Sequence, residues 1–277
     1  MKKKVLVRGP ALTSSGYGEH ARFILRSLRA HEEYFDIFFE NINWGGTGYL
    51  IDDSEERRWL EETGLKTHHF KSNKGQFDVS VQVTIPNEWN KVAPVNIGVT
   101  AGIETTRISP QWVDKCREVD KIIVPSTHAR HAFDTTVYKL KNEQTGEEIE
   151  FKNKTPIEVV PYPVKDTVPE EIDLDLDCDF NFLTVAQWGP RKNLDSTVKW
   201  FVEEFRDEEV GLVIKANTKK NNVKDRVECS RRISHLLSAY PDRKCKVCLV
   251  HGNMTEEEMG GLYTHPKVKA IVSTTHG

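Results

Sequence analysis

Two α/β domains in tandem, each a doubly wound and mainly parallel sheet, are the fold class that the sequence predicts, on three observations. Short apolar runs alternate with amphipathic segments along the whole chain. Such alternation demands crossover connections, and hence a parallel sheet covered on both faces. An acidic stretch, Asp166 to Asp179, carries Pro169 and little periodicity, and the alternation restarts beyond it. The length of 277 residues fits two domains of ordinary size. The expected division is therefore a first domain over 1–165, an acidic linker over 166–180 and a second domain over 181–277.

In the first half, Lys4 to Gly9 reads as a short buried strand, because its apolar residues run without helical spacing. A loop of small residues, Pro10 to Glu19, leads to a helix whose apolar face holds Ala21, Phe23, Ile24, Leu25 and Leu28. Tyr34 to Ile42 is the next strand. Ser54 then caps a helix opened by Glu55 and Glu56. Phe77 to Val83 alternates as a half-exposed strand does, and Val95 to Val99 is another strand. Pro110 starts a helix carrying Trp112, Val113 and Cys116, since proline suits the first helical turn. Lys121 to Ser126 is a compact strand running into a helix at Thr127, Gln144 to Glu147 marks a polar hairpin or loop, and Ile157 to Pro161 is again a strand.

The second half repeats the alternation. Its expected strands are Phe182 to Ala186, Val210 to Lys215, Lys246 to Val250 and Val268 to Ser273. Its helices are Leu194 to Phe205, Asp225 to Tyr240 and Thr255 to Tyr263. Ligands of doubly wound sheets bind at the carboxyl ends of the strands, and between two such domains in tandem.

Composition narrows the function classes. Lys and Arg number 39 against 42 Asp and Glu, a net charge of -3, which leaves no basic footprint for nucleic acid. No apolar run approaches the roughly 20 residues of a membrane helix. Met1 to Lys4 is basic, but Arg8 follows only three apolar residues, so a signal peptide does not fit. Five scattered cysteines point to reduced thiols and a cytoplasmic setting.

Five segments, in order and at sensible spacing, carry a resemblance across essentially the whole chain. They are the loop Ser14 to Ala21, the stretch Asp120 to Phe133, Val159 to Lys165, Phe182 to Asn193 with its Arg191-Lys192-Asn193, and Val268 to Gly277. Together they resemble the glycosyltransferases of family 4, or group 1, whose two Rossmann-like domains make the GT-B fold. The resemblance implies transfer of a sugar from a nucleotide-diphosphate donor to a glycan or other hydroxyl acceptor, with retention at the anomeric carbon. It implies no metal or other cofactor, because basic side chains meet the leaving diphosphate, and it allows peripheral contact with a membrane. In the family, the last strand leads into a Glu-Gly-Phe-Gly stretch with a second glutamate eight positions on. Here the sequence reaches only His276-Gly277, so the second domain reads as partial and the expected affinity for sugar nucleotides is weak.

A departing diphosphate needs cations where its charge develops. Arg191 and Lys192 lie between a strand and a helix, where side chains and helix amides reach such a group. Read alone, a basic pair at a turn is most often solvated; its family context favours the phosphate role, with Lys192 the stronger match. Gly16 and Gly18 permit close approach of a phosphate or acceptor, or simply make a turn. Glu104 follows the strand Val95 to Val99 and is assigned to acceptor hydroxyls or sugar orientation, against the alternative of a loop carboxylate. Lys215 ends a strand and is a phosphate candidate or a plain strand-end charge, and Gly277 stands where the donor motif begins. Ser126 is a strand-end hydrogen bonder or an N-cap. Glu40 is a weak ribose ligand, and no GxGxxG fingerprint accompanies it, which disfavours dinucleotide binding by the first half.

Other features are read as structural. Cys245 and Cys248 have CxxC spacing but no partner pair for zinc. His128 and His131 lack a third ligand, the Lys219-Lys220 run reads as an exposed loop, and Trp200-Phe201 reads as core. Two alternatives to the transferase remain: a GT-B epimerase or hydrolase of nucleotide sugars, and a non-catalytic sugar-nucleotide- or glycan-binding fragment.

Overall fold

The structure, a computed structural model, describes residues 2–141 and 148–274. The chain divides into two compact units, Met1–Pro163 and Val164–Gly277.

In chain order the first unit contains β1 (Lys3–Gly9), α1 (Gly16–Arg29), β2 (Phe35–Asn41), α2 (Glu55–Ser72), β3 (Val79–Val83) and β4 (Val95–Val99). There follow α3 (Pro110–Lys115), β5 (Lys121–Val124), α4 (Thr127–Thr135), β6 (Val137–Lys141), β7 (Glu148–Lys152) and β8 (Ile157–Val159). Six strands form one parallel sheet in the order β2-β1-β3-β4-β5-β8. The order reverses between β1 and β3, which is the topological switch point. Alternation along β1 sends Val5 and Val7 into a core with Ala21, Leu25 and Leu60 from α1 and α2. Leu6 joins Phe38 and Phe77 in a separate cluster. Arg26 binds α1 to α2, its Nε and Nη2 donating to both Glu56 oxygens at 2.5 and 2.7 Å.

β6 and β7 pair antiparallel as a separate ribbon, Leu140 opposite Ile149. The turn expected at Gln144 to Glu147 lies outside the described residues.

The second unit contains β9 (Asn181–Gln187), α5 (Leu194–Glu204), β10 (Gly211–Asn217), α6 (Val223–Leu237), β11 (Lys246–Val250), α7 (Glu256–Thr264) and β12 (Val268–Ile271). Its described strands are all parallel, in the order β11-β10-β9-β12, with the switch point between β9 and β12. Leu212 and Ile214 face α5 and α6, against Val198, Phe201 and Ile233. Leu183 and Val213 join the other core cluster, with Leu262 of α7.

The acidic stretch differs from a free linker of low periodicity. Glu171 to Asp179 alternates carboxylates with Ile172, Leu174, Leu176 and Cys178, and the first three of these pack with Leu183, Val213 and Leu262. The physical reason is a period of two: extended chain puts its apolar residues on one face and its carboxylates on the other. No sheet ladder is formed, so composition alone read the segment as a spacer.

Close packing in the first unit turns on Gly98 in β4, where a Cβ would lie 2.6 Å from the ring of the fully buried Trp89. The Trp89 indole N–H is fixed on the Gln82 carbonyl at 3.2 Å, so the ring has little freedom to move. Gly98→Ala is expected to cost about 1–3 kcal/mol through overpacking. Urea unfolding should show a lower midpoint at unchanged slope; an unchanged midpoint would show that the ring has room to shift.

Candidate functional site

The carboxyl end of β9, the central strand at the second switch point, runs into a turn made by Trp188 and Gly189. A 3-10 turn over Pro190–Lys192 follows, and then Asn193. Lys192 and Asn193 both donate their backbone N–H to the Gly189 carbonyl, at 3.0 and 3.1 Å. Asn193 sits in the left-handed region, φ 48°, a conformation that asparagine tolerates better than most residues. The tight turn delivers the chain directly into α5 with Arg191 exposed and Lys192 half-buried at its start.

Among the described residues, α5 is the one α-helix of seven without a side-chain cap. Ser15, Ser54, Ser109, Ser126, Asn222 and Thr255 cap the others, whereas Asn193 makes no capping hydrogen bond. The first amides of α5 therefore keep their capacity to donate, and the positive dipole end adds to Lys192 and Arg191. The far side of the turn is fixed: the Trp188 N–H donates to the Asn217 carbonyl at 2.6 Å and its indole to Asp195 Oδ2 at 3.3 Å. Thr274, after β12, hydrogen-bonds Thr197 at 2.6 Å and donates to the Asn193 carbonyl at 3.3 Å. The residues on both sides of the switch point thus meet at the start of α5.

Lys215 lies near the end of β10 and donates to the carbonyl of Gly252, which follows β11. Burial lowers its pKa, with Glu258 opposing. Its ammonium is committed to loop architecture in this structure. Gly277 lies outside the described residues.

Sequence reasoning missed a buried cluster at the same end of the sheet. Asp225, in the first turn of α6, accepts from the Thr218 N–H at 2.9 Å, the Thr218 hydroxyl, the Lys219 N–H at 3.1 Å and His251 Nε2 at 2.9 Å. Burial alone would raise its carboxyl, but the hydrogen bonds from Thr218, His251 and Lys219 hold it well below the usual range. With Cys229, this group places three ligand-type atoms within 4.8 Å of one another. The donor set does not fit a metal: the carboxylate oxygens are already engaged, and burial, aided by Asp225, pushes the Cys229 thiol up so that it stays protonated. The cluster ties the β10–α6 loop to β11. Its sequence signal is Asn222 three residues before Asp225, a helix-start pattern.

In the first unit, Gly16 opens α1 with nothing within 4 Å of an added Cβ. A Cβ on Gly18 would lie 2.2 Å from the Thr13 carbonyl oxygen, so this glycine serves the packing of its own loop. The α1 N-terminus is also occupied, since Ser15 Oγ accepts from the Gly18 N–H at 2.9 Å. Tyr17 joins Thr100 through their hydroxyls at 2.8 Å and accepts from the Ala101 N–H at 3.2 Å. Burial raises the Tyr17 hydroxyl's pKa, and the nearby Glu104 carboxylate adds to the shift. Glu104 itself is exposed, in the bend after β4. His20, buried beside Tyr162 at 4.8 Å between ring centroids, is pushed down to about 4 by burial and so stays neutral at pH 7.

A cavity of about 660 Å³ opens beside β1, β2 and β3, lined by Arg8, Asn43, Trp44, Thr47, Ile85 and Glu88 among others. Trp44 packs on Tyr17, ring centroids 4.6 Å apart. Glu40, the weak ribose candidate, is instead paired with Arg8 at 3.1 Å and Lys71 at 2.8 Å. Ser126 is the N-cap of α4, accepting from the Ala129 N–H at 3.1 Å. Cys245 packs in one core cluster of the second unit and Cys248 in the other, and all five cysteines are free. His128 and His131 are exposed. No helix of the described residues is long and apolar enough to cross a membrane.

No protein-family model matches the chain, and no curated protein matches it. Solved structures do. The HepE protein of Anabaena in complex with UDP-glucose is similar over 98% of this chain and 74% of its own, at 10% identity and TM-score 0.55. An E. coli structure described as trehalose-6-phosphate bound with UDP-2-fluoro glucose matches over 99% of this chain and 78% of its own, at 9% identity and TM-score 0.53. The lipopolysaccharide outer core galactosyltransferase WaaB, in its apo form, matches over 99% and 74%, at 10% identity and TM-score 0.51. At such identities the likeness shows the fold: two Rossmann-like α/β units of the GT-B kind.

The Asp225 cluster gives the unit a defined response to acid. Its carboxyl titrates lower in the folded state than in the unfolded chain, where about 3.9 applies. The stability it contributes is full above about pH 4 and is lost as pH falls toward the folded value. Asp225→Asn should cost about 1.5–3 kcal/mol at pH 7, and the gap to wild type should narrow below pH 4. Urea unfolding at pH 7, 5 and 3 checks this; a gap that stays constant across the series would contradict it.

Proposed function

We propose that the protein is a glycosyltransferase that moves a sugar from a nucleotide-diphosphate donor to a hydroxyl acceptor, with retention at the anomeric carbon. The observation that carries the reading is the turn from β9 into α5. Its helix N-terminus, uncapped by any side chain, adjoins Arg191 and Lys192 at the switch point of a parallel sheet. Anions favour that combination of donating amides, dipole and cations, and a diphosphate is the anion that a sugar-nucleotide donor presents. The shared fold with structures that hold UDP-glucose and UDP-2-fluoro glucose supports this choice of ligand class.

The chemistry assigned to the site is charge stabilisation. As the bond between the anomeric carbon and the diphosphate oxygen breaks, negative charge grows on the leaving group. Lys192, Arg191 and the first amides of α5 meet that charge. The proposal therefore needs no metal cofactor. Glu104, beside Tyr17, is assigned to the acceptor, where its carboxylate accepts a hydrogen bond from an attacking or neighbouring hydroxyl. No protein nucleophile is assigned.

Release of nucleoside diphosphate from UDP- and GDP-sugars, with products resolved chromatographically, tests the reading. Lys192→Ala should reduce turnover about 100- to 1,000-fold, a larger effect on catalysis than on folding. Unaltered turnover would remove Lys192 from the site. Free sugar or an isomer formed without transfer, in the presence of hydroxyl acceptors, would replace the transferase with a hydrolase or epimerase.

A further inference from the structure

The cavity of the first unit has a chemistry of its own. It lies where β1, β2 and β3 end, at the first switch point, and its volume of about 660 Å³ falls within the roughly 300–1,000 Å³ of small-molecule sites. One wall is the Trp44 ring, held from behind by Tyr17. Ile42 and Ile85 extend the apolar surface. Around it stand the amide of Asn43, the hydroxyl of Thr47 and the carboxylate of Glu88.

The charge balance disfavours an anion as the preferred ligand. Arg8 is the lining cation; its Nε donates to Glu40 at 3.1 Å and its Nη1 to Gln82 Oε1 at 3.3 Å and the Glu88 carbonyl at 3.0 Å, and Glu40 is shared with Lys71 at 2.8 Å. Glu88 lines the cavity as well, and among the described residues its carboxylate oxygens enter no ion pair or hydrogen bond. A phosphate or carboxylate would meet an arginine already engaged by Glu40, and Glu88 as a second carboxylate-bearing wall residue. A neutral polyol finds an acceptor for its hydroxyls on Glu88, beside Asn43, whose Oδ1 already accepts from the Tyr49 hydroxyl at 3.0 Å, and a flat apolar ring against which to lay its C–H face.

The walls are also built in advance. The Ser14 N–H donates to the Gly48 carbonyl, and the Leu50 N–H to the Leu12 carbonyl, both at 2.9 Å. The Leu12 N–H donates to Asn41 Oδ1 at 3.2 Å. These bonds clamp the loop carrying Trp44 onto the loop before α1, so the aromatic wall does not have to be ordered when a ligand arrives. Tyr17, behind that wall, is the same residue that senses the Glu104 carboxylate.

We infer that this cavity binds a neutral pyranose ring, stacked on Trp44 and hydrogen-bonded by Glu88. The sugar's role as the acceptor rests on the transferase reading above; the binding itself does not. The test is therefore run on the whole chain with no sugar nucleotide present, so that its failure leaves the donor chemistry standing, and a failed donor assay leaves it untouched. Saturation-transfer NMR is recorded with methyl α-D-glucopyranoside, methyl α-D-galactopyranoside and methyl α-D-mannopyranoside, and with glucose 6-phosphate as the anionic probe. At least one glycoside should bind, and glucose 6-phosphate more weakly. Trp44→Ala should weaken binding about five- to tenfold, and Trp44→Phe, which keeps a ring against Tyr17, should retain most of it. Glu88→Ala, an exposed position, should weaken binding about tenfold and serves as the second variant if Trp44→Ala fails to fold. Absence of binding by all three glycosides, binding that survives both alanine variants, or preference for glucose 6-phosphate would overturn the inference.

Discussion

Parallel strand pairing is the constraint on which the rest of this structure depends. Every strand of the two main sheets runs the same way as its neighbours, so each connection must cross over and return. All the loops that follow strands then gather at one edge of each sheet. The side chains to which chemistry is proposed lie on those connections: Arg191 and Lys192 after β9, Glu104 after β4, Trp44 after β2. Within each sheet that edge follows from the hand of the crossover and the direction of the strands, and no side chain has to enforce it.

Within that frame, the two units treat their helix starts differently. The first unit satisfies the start of α1 internally through Ser15 and Gly18, and pairs Arg8, which lines its cavity, with Glu40. The second unit leaves the start of α5 without a side-chain cap and sets two basic residues beside it. Electrostatics thus differs between the two places: α5 starts with uncapped amides beside two basic residues, whereas the cavity beside Trp44 sets Glu88 against an arginine already paired with Glu40. The buried Asp225 cluster serves neither; it holds the β10–α6 loop and β11 in register behind the α5 turn.

Much of this was legible in the sequence. Uninterrupted apolar runs such as Val5 to Val7 and Ile122 to Val124 identified buried strands, because sheets covered on both faces leave no polar side to alternate with. The basic pair at 191 and 192 stood out for its place between strand and helix. What escaped were features set by tertiary contact. Trp44 lies in a glycine-rich loop with no periodicity, and its neighbour Tyr17 is 27 positions away. Asp225 draws its meaning from Thr218 and His251, which reach it only after α6 has docked. Lys215 read as a cleft-side charge, yet the bond to Gly252 commits it to the scaffold. The alternation from Glu171 to Asp179 was visible in the letters, but its carboxylates masked it until the apolar half was seen packed.

The central claim is that a sugar nucleotide's diphosphate sits on the turn from β9 into α5. Amide hydrogen exchange, followed with and without saturating UDP-glucose or GDP-mannose, reads that contact directly. The account predicts slowed exchange in a peptide covering Gly189 to Ser196. Protection that spares this peptide and appears elsewhere in the chain, or at the opposite ends of the strands, would contradict it.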